Sequence, residues 1–316
     1  MTGETGAAPD PALLETIEAL AVELARAAGE QAQQALEREI AVDYKPDAKG
    51  KESTHDPVSE VDRAVEDLVR RRVGERFPGH GIVGEELDEH PSPDDEYVWV
   101  IDPIDGTANF VNGFPLFAVS IGVLHRGRPV AGAVWCGATH ALRPGVYHAH
   151  AGGPLRLDGV AVSAGRATAV KRHLAAAPGG SSGGTKQWDH RVTGSIAIEA
   201  ALVAAGVFVA ATFWAPRIWD VAGGVVLIRA AGREVWARGP AGWTPFERFA
   251  PPERLPHGAR RRGARDPQQP PRQPSLRDWR QALMVGTAEA TAAIRTRGPR
   301  PGPLARLARR LAGILR

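Results

Sequence analysis

Asp102 and Asp105 stand three residues apart in the stretch Val98-Trp99-Val100-Ile101-Asp102-Pro103-Ile104-Asp105-Gly106-Thr107-Ala108-Asn109-Phe110. Two carboxylates at that spacing, across a turn stiffened by Pro103, can converge on one point, and the Ile104 carbonyl between them is free to face the same way. Oxygen donors grouped like this suit a hard divalent cation such as Mg²⁺. Gly106-Thr107 opens what reads as a helical turn, whose first backbone N–H groups suit a phosphate oxygen. A cation site beside an anion site is the layout of metal-assisted phosphate-ester chemistry. The same string is also ordinary turn chemistry, with proline setting φ and Asp and Gly completing the bend. Taken alone, the segment does not choose between the two.

Three other places offer acids in suggestive settings. Ile82-Val83 reads as a short strand running into Gly84-Glu85-Glu86, and adjacent acids at a strand end repel each other unless a cation or solvent relieves them. Ser59-Glu60-Val61-Asp62 has the spacing of a capping box opening a helix over 61–77, which explains Ser59 fully and Asp62 in part. Asp220 begins a helix rich in small residues (Ala222, Gly223, Gly224), where an Asp is an ordinary N-cap.

Together these blocks resemble the inositol monophosphatase family of Mg²⁺-dependent, lithium-sensitive sugar phosphatases. Asp102 to Phe110 is similar to the first family signature and Trp219 to Gly224 to the second. Gly84-Glu85-Glu86 and the run Lys51 to Asp62 are similar to two further blocks, all in family order. The match covers roughly residues 12–250 and resumes near 276–295. The resemblance implies an α/β (α+β) fold, a layered αβαβα sandwich, and a homodimer. It implies that Glu85, Asp102 and the Ile104 carbonyl hold one Mg²⁺, that Asp102, Asp105 and Asp220 hold a second, and that a third, weaker ion sits near Glu85. Asp62 and Thr107 would orient the attacking water, with Glu86 supporting the water network. Gly106 and Thr107 would hold phosphate oxygens through their amides, and Lys51 matches a family lysine near the metals. Ser195 heads a helix whose family counterpart brings backbone groups to the substrate; capping explains Ser195 equally well.

One position departs from the family pattern. Inositol-preferring relatives carry a glutamate seven residues before the last aspartate, where this chain has Phe213. A ring cannot accept the hydrogen bonds of a sugar hydroxyl, and such bonds carry much of the discrimination in a site built around them. Arg217 supplies a cation in the same stretch and suits a second phosphate. The substrate is therefore a small phosphorylated metabolite: inositol 1-phosphate, or histidinol phosphate, 3′-phosphoadenosine-5′-phosphate or fructose 1,6-bisphosphate.

The elements that must position these groups follow from pattern. Leu13, Leu14, Ile17, Leu20, Ala21 and Leu24 recur at helical spacing in 11–40, predicting a long packing helix. Residues 41–57 are polar and read as a mobile loop. Phe117–Leu124 and Val130–Val134 read as paired strands turning at Gly127, and Leu174–Ala177 as another, followed by the Gly-Ser loop 179–184. A helix is predicted from Ser195 to Ala204, and the resemblance implies that 279–286 is the family's last strand, followed by a helix to Ile294. His148 and His150 share a strand face, but no third ligand adjoins them and they are not assigned to a metal.

The 316 residues, 43% hydrophobic and 24% charged, suit a soluble globular protein. Cys136 is the single cysteine, no apolar run is long enough to span a bilayer, and residues 1–11 lack the pattern of a secretory leader, so the expectation is cytoplasmic. The net charge of +3 conceals a split: residues 251–316 hold fifteen arginines and four acids, leaving 24 basic against 32 acidic residues in 1–250. The expected organisation is a disordered 1–10, a phosphatase domain of 11–250 plus 276–296, an Arg/Pro-rich disordered insertion at 251–275, and a basic amphipathic tail at 297–316. That tail suits an anionic membrane surface or nucleic acid, which keeps a regulatory protein acting through its Arg-rich end as an alternative of another class.

Overall fold

The computed structural model describes residues 9–46, 52–87, 90–91, 95–163, 170, 173–176, 188–254 and 273–296. Lys51, the loop 179–184, most of 251–275 and the tail 297–316 lie outside them.

Two sheets organise the chain. The larger has seven strands in the order β3-β4-β5-β6-β7-β8-β9: Gly81–Gly84, Tyr97–Asp105, Ala118–His125, Arg128–Cys136, Gly145–His150, Arg156–Leu157 and Val160–Ala161. The second has six, in the order β11-β10-β12-β15-β13-β14, where β10 is His173–Ala176, β11 Trp188–Arg191, β12 Phe208–Phe213, β13 Glu234–Gly239, β14 Gly242–Pro245 and β15 Leu283–Gly286. Helices α1 (Pro11–Ala35) and α2 (Glu60–Arg76) cover the outer face of the first sheet. Helices α4 (Ile196–Ala204) and α5 (Ile218–Ala230) fill the space between the sheets, and α6 (Ala288–Arg295) closes the far side. The layers therefore read αβαβα, as expected.

Strand β4 shows how the sequence builds this. Every residue of it is buried, because a central strand is covered on both faces. Its side chains alternate between layers: Trp99 and Ile101 pack toward α1 and α2, Val98 and Val100 toward α4 and α5.

Two expectations need correction. The predicted 11–40 helix ends at Ala35, where the apolar stripe runs out and Glu37-Arg38-Glu39 has no sheet to cover. Residues 41–57 are not simply a loop: β1 (Val42–Pro46) pairs antiparallel with β2 (Glu52–Ser59), Asp43 opposite Val58 and Tyr44 opposite Pro57. This ribbon is held by backbone pairing while Asp43 and Tyr44 stay exposed, so it leaves no hydrophobic alternation to read.

Candidate metal centre and active site

β4 carries the first two acids to the end of the sheet. Its antiparallel pairing with β5 runs in register from Tyr97 to Asp102 and is then broken, resuming at Asp105. Pro103 has no N–H to give the ladder, so the chain bulges there and re-aims its side chains. Gly106 follows at φ +88°, a left-handed conformation suited to glycine, and turns the chain into the short helix α3 (Thr107–Val111).

The third acid arrives from the opposite direction. Asp220 is the third residue of α5, not its N-cap as the sequence suggested: the cap is Arg217, whose backbone N–H donates to Asp220 Oδ2 (2.7 Å). α5 lies close on the sheet because glycines face each other. A Cβ on Gly122 would sit 2.6 Å from the Gly223 nitrogen, and one on Gly132 2.5 Å from the Gly223 oxygen. Small residues at this crossing, three residues along from Asp220, set how deeply the carboxylate reaches.

Asp102, Asp105 and Asp220 each bring an oxygen within 4.8 Å of the other two. Among the described residues Asp102 Oδ1 is buried with no hydrogen-bond partner, a costly state for a carboxylate unless something else satisfies it. Burial, and then the charges of Glu85, Asp105, Asp220 and Asp62, hold the Asp102 carboxyl well above the usual range. Burial likewise pushes Asp105 up to about 7, against the opposing hydrogen bonds from Ser195 and Ala197. Asp220 is raised by burial and by Asp105, with the Arg217 amide and charge acting the other way. A cluster of acids that cannot all ionise alone, with one oxygen unclaimed, fits a divalent cation in kind and number of donors.

The other expected residues gather nearby. Glu85 stands outside the 4.8 Å group, yet its charge helps raise all three acids. Asp62 is 1% exposed; its Oδ2 accepts from the Ser59 amide (2.8 Å) and hydroxyl (2.5 Å), completing the capping box. That leaves Oδ1 facing Thr107, whose hydroxyl donates to it at 3.3 Å and to the Ile104 carbonyl at 2.9 Å. Thr107, Asp62 and Ile104 are thus brought together from α3, α2 and β4. Glu86 lies in the same strand-end segment, its amide donating to Glu66 (2.7 Å).

The substrate-side residues fall differently. The Ser195 hydroxyl donates to Asp105 Oδ2 (2.5 Å) and caps α4 by accepting from the Ile198 amide (3.2 Å), while its own amide donates to the Thr193 hydroxyl (3.2 Å), so it positions a carboxylate and the head of α4. Phe213 is 1% exposed and packs in the core between the sheets; its neighbour Trp214 is half exposed. Arg217 lies 5.7 Å from the Trp219 ring centroid, with its charge felt at Asp220.

Several contributors were not singled out from sequence. Glu66 is fully buried on α2, accepting from the amides of Glu86 and Leu87 and pairing with Arg70. Arg277 donates to the carbonyls of Gly84, Glu85 and Leu87. Glu199, which burial pushes up to about 7, accepts from the Thr193 amide and hydroxyl (3.1 and 3.0 Å) behind Asp105. The one available signal for Glu66 was its place on the same helical face as Val65, Val69 and Val73; its i,i+4 spacing to Arg70 reads as a solvated pair. His148 and His150, set aside as metal ligands, both bond through Nδ1 to buried Glu18 of α1.

Comparison with known proteins agrees with this geometry. The profile of the Inositol monophosphatase family matches residues 13–262. The chain is 35% identical to the probable inositol 1-monophosphatase ImpA of Mycobacterium tuberculosis over 66% of this chain and 82% of that protein. It is 33% identical to the Nus factor SuhB of Salmonella typhimurium over 61% and 77%. The structure of an inositol monophosphatase from Anabaena superposes with a TM-score of 0.58 at 26% identity, covering 74% of this chain and 88% of that one. With the acids converging where β4, α2 and α5 meet and a family profile spanning the same segments, the chain is a member of the inositol monophosphatase family.

Proposed function

We propose that this chain is a Mg²⁺-dependent phosphomonoesterase that hydrolyses a small polyol phosphate such as inositol 1-phosphate. The observation that carries the proposal is the convergence of Asp102, Asp105 and Asp220 around an unclaimed carboxylate oxygen. With Glu85 and the Ile104 carbonyl, these groups would hold Mg²⁺. When bound, the ion supplies charge neutralisation for phosphoryl oxygens and lowers the pKa of water.

The protein's own groups do the rest. The Thr107 hydroxyl, fixed between Asp62 and the Ile104 carbonyl, orients water for in-line attack on phosphorus and passes a proton on to Asp62; as the new P–O bond forms, the ester P–O bond breaks and the leaving alkoxide takes a proton from solvent. The amides of Gly106 and Thr107, at the start of α3, hold phosphate oxygens as negative charge grows. Ser195 and the Ala197 amide fix Asp105 in one orientation (both 2.5 Å), so the site is organised before substrate arrives.

A bisphosphorylated substrate is the second reading, favoured by Arg217, whose charge reaches the cluster through Asp220. Phosphate release with and without Mg²⁺ separates the two, using inositol 1-phosphate, histidinol phosphate, 3′-phosphoadenosine-5′-phosphate and fructose 1,6-bisphosphate. Preference for a monophosphorylated polyol supports the first reading. Preference for either bisphosphate, lost in Arg217→Ala, supports the second. No release from any of them overturns both and leaves the non-enzymatic reading, for which the similarity to a Nus factor is the support.

A further inference from the structure

We infer that Arg277 is a positioning residue for the metal centre: its guanidinium, opposed by the Glu66 carboxylate, fixes the backbone that presents Glu85. The inference rests on the metal-binding part of the proposed function. Among the described residues β3 pairs with β4 alone and lies at the edge of its sheet, and its ladder ends at Gly84 opposite Ile101, just before Glu85. Two side chains hold the chain from there. The Glu66 carboxylate, with no exposure to solvent, accepts from the amides of Glu86 (2.7 Å) and Leu87 (3.1 Å). From the other direction Arg277 donates through Nη1 to the carbonyls of Gly84 and Leu87 (the latter 2.8 Å) and through Nη2 to that of Glu85 (2.7 Å). Amides and carbonyls of one short segment are thus gripped by opposite charges on α2 and on the 3₁₀ turn Leu276–Asp278.

The grip leaves no slack. A Cβ at Gly84 would fall 2.1 Å from the Glu66 carboxylate, so Glu66 can approach only a glycine. Arg277 also reaches the other side of the centre. Its guanidinium carbon lies 5.1 Å from the centroid of Trp219, the residue before Asp220, and this cation–π contact ties the Glu85 segment to the first turn of α5. One guanidinium therefore touches both the segment that carries Glu85, just after β3, and the residue before Asp220 on α5, so it spans two carboxylates of the centre that serve neighbouring ions. A planar fork holding three carbonyls is a task lysine cannot reproduce.

The test uses the full-length chain as wild type, R277Q, R277K, E85Q and E85Q/R277Q. Mg²⁺ binding is measured by titration calorimetry, melting temperature in EDTA, and KM against kcat at saturating Mg²⁺. Removing a partner that orients a metal ligand typically weakens metal affinity about 10- to 100-fold. The expected result is a loss of that size in R277Q with KM little changed once Mg²⁺ saturates, and partial recovery in R277K. The double variant should bind Mg²⁺ no more weakly than E85Q, because Arg277 acts through Glu85. Wild-type Mg²⁺ affinity in R277Q overturns the inference, as does a loss that adds in full to that of E85Q. Should R277Q fail to fold, R277K carries the same comparison: weakened binding supports the inference and wild-type binding overturns it. A wild type that binds Mg²⁺ but releases phosphate from no substrate sinks the phosphatase reading, while the calorimetric comparison still decides this one.

Discussion

Asp105→Asn should abolish activity and yet stabilise the metal-free protein, by an amount that grows with pH. Asp105 is 8% exposed, and burial raises its carboxyl from 3.8 to about 7. A folded-state pKa above the unfolded one means the native protein binds the extra proton. Stability therefore falls as the pH rises from about 4, and the loss is complete above about 7. The shift of roughly three units corresponds to ~4 kcal/mol at most. Asparagine is neutral and keeps an acceptor for the Ser195 hydroxyl and Ala197 amide, both at 2.5 Å on one oxygen of Asp105, so the substitution removes the charge without stripping the hydrogen bonds. For a domain of this size ~4 kcal/mol is on the order of 10 °C in melting temperature. Thermal melts in EDTA from pH 5 to 8.5 are the assay. The variant's advantage should open with rising pH and level off above about 7, and Mg²⁺ should close it by raising the wild type alone. A gap that does not change with pH, or a variant less stable than wild type at pH 8 in EDTA, would refute the reasoning.

Other outcomes follow from particular contacts. Thr107→Val loses the hydroxyl held between Asp62 and the Ile104 carbonyl; kcat should fall about 100-fold with Mg²⁺ affinity retained in calorimetry. Gly132→Val places methyl groups against the Gly223 carbonyl. It should cost about 1–3 kcal/mol by denaturant titration and weaken Mg²⁺ binding by displacing Asp220. Glu18→Gln removes the buried carboxylate that joins α1 to His148 and His150 of β7, at a cost of about 1–3 kcal/mol. Burial opposes ionisation of Glu18, but its bonds to the two histidines win and lower its pKa below 4.5. Its contribution is therefore present above pH 4.5 and lost as the pH falls through the lower folded value, which urea titrations of both proteins across that range would show.

The parts of the site legible in the sequence were those written in short range. A buried strand ending in a proline turn, the capping box at Ser59–Asp62 and the small-residue helix at Asp220 each carry a local pattern; the structure brings Asp102, Asp105 and Asp220 within 4.8 Å of one another and sets Asp62 against Thr107. The layered fold came with the family resemblance rather than with any periodicity. What stayed hidden depends on contacts across long separations. Arg277 reaches Gly84 across 193 positions, and a lone arginine beside an Arg-rich segment carries no mark of that. Glu18 meets His148 across 130 positions and reads as one more acid on an amphipathic helix. Ser195 was legible as a cap, yet its second bond, to Asp105, depends on how α4 docks against β4. Phe213 was weighed as a substrate-facing substitution because sequence cannot say which side of β12 faces the core.

The most direct test of the metal centre is anomalous diffraction from crystals of the full-length chain grown with Mn²⁺ in place of Mg²⁺. The expected result is density between Asp102, Asp105 and Asp220, with a further peak at Glu85 and the Ile104 carbonyl, absent in Asp105→Asn or reduced there. Mn²⁺ bound elsewhere, with these carboxylates empty at saturating ion, would contradict the assignment.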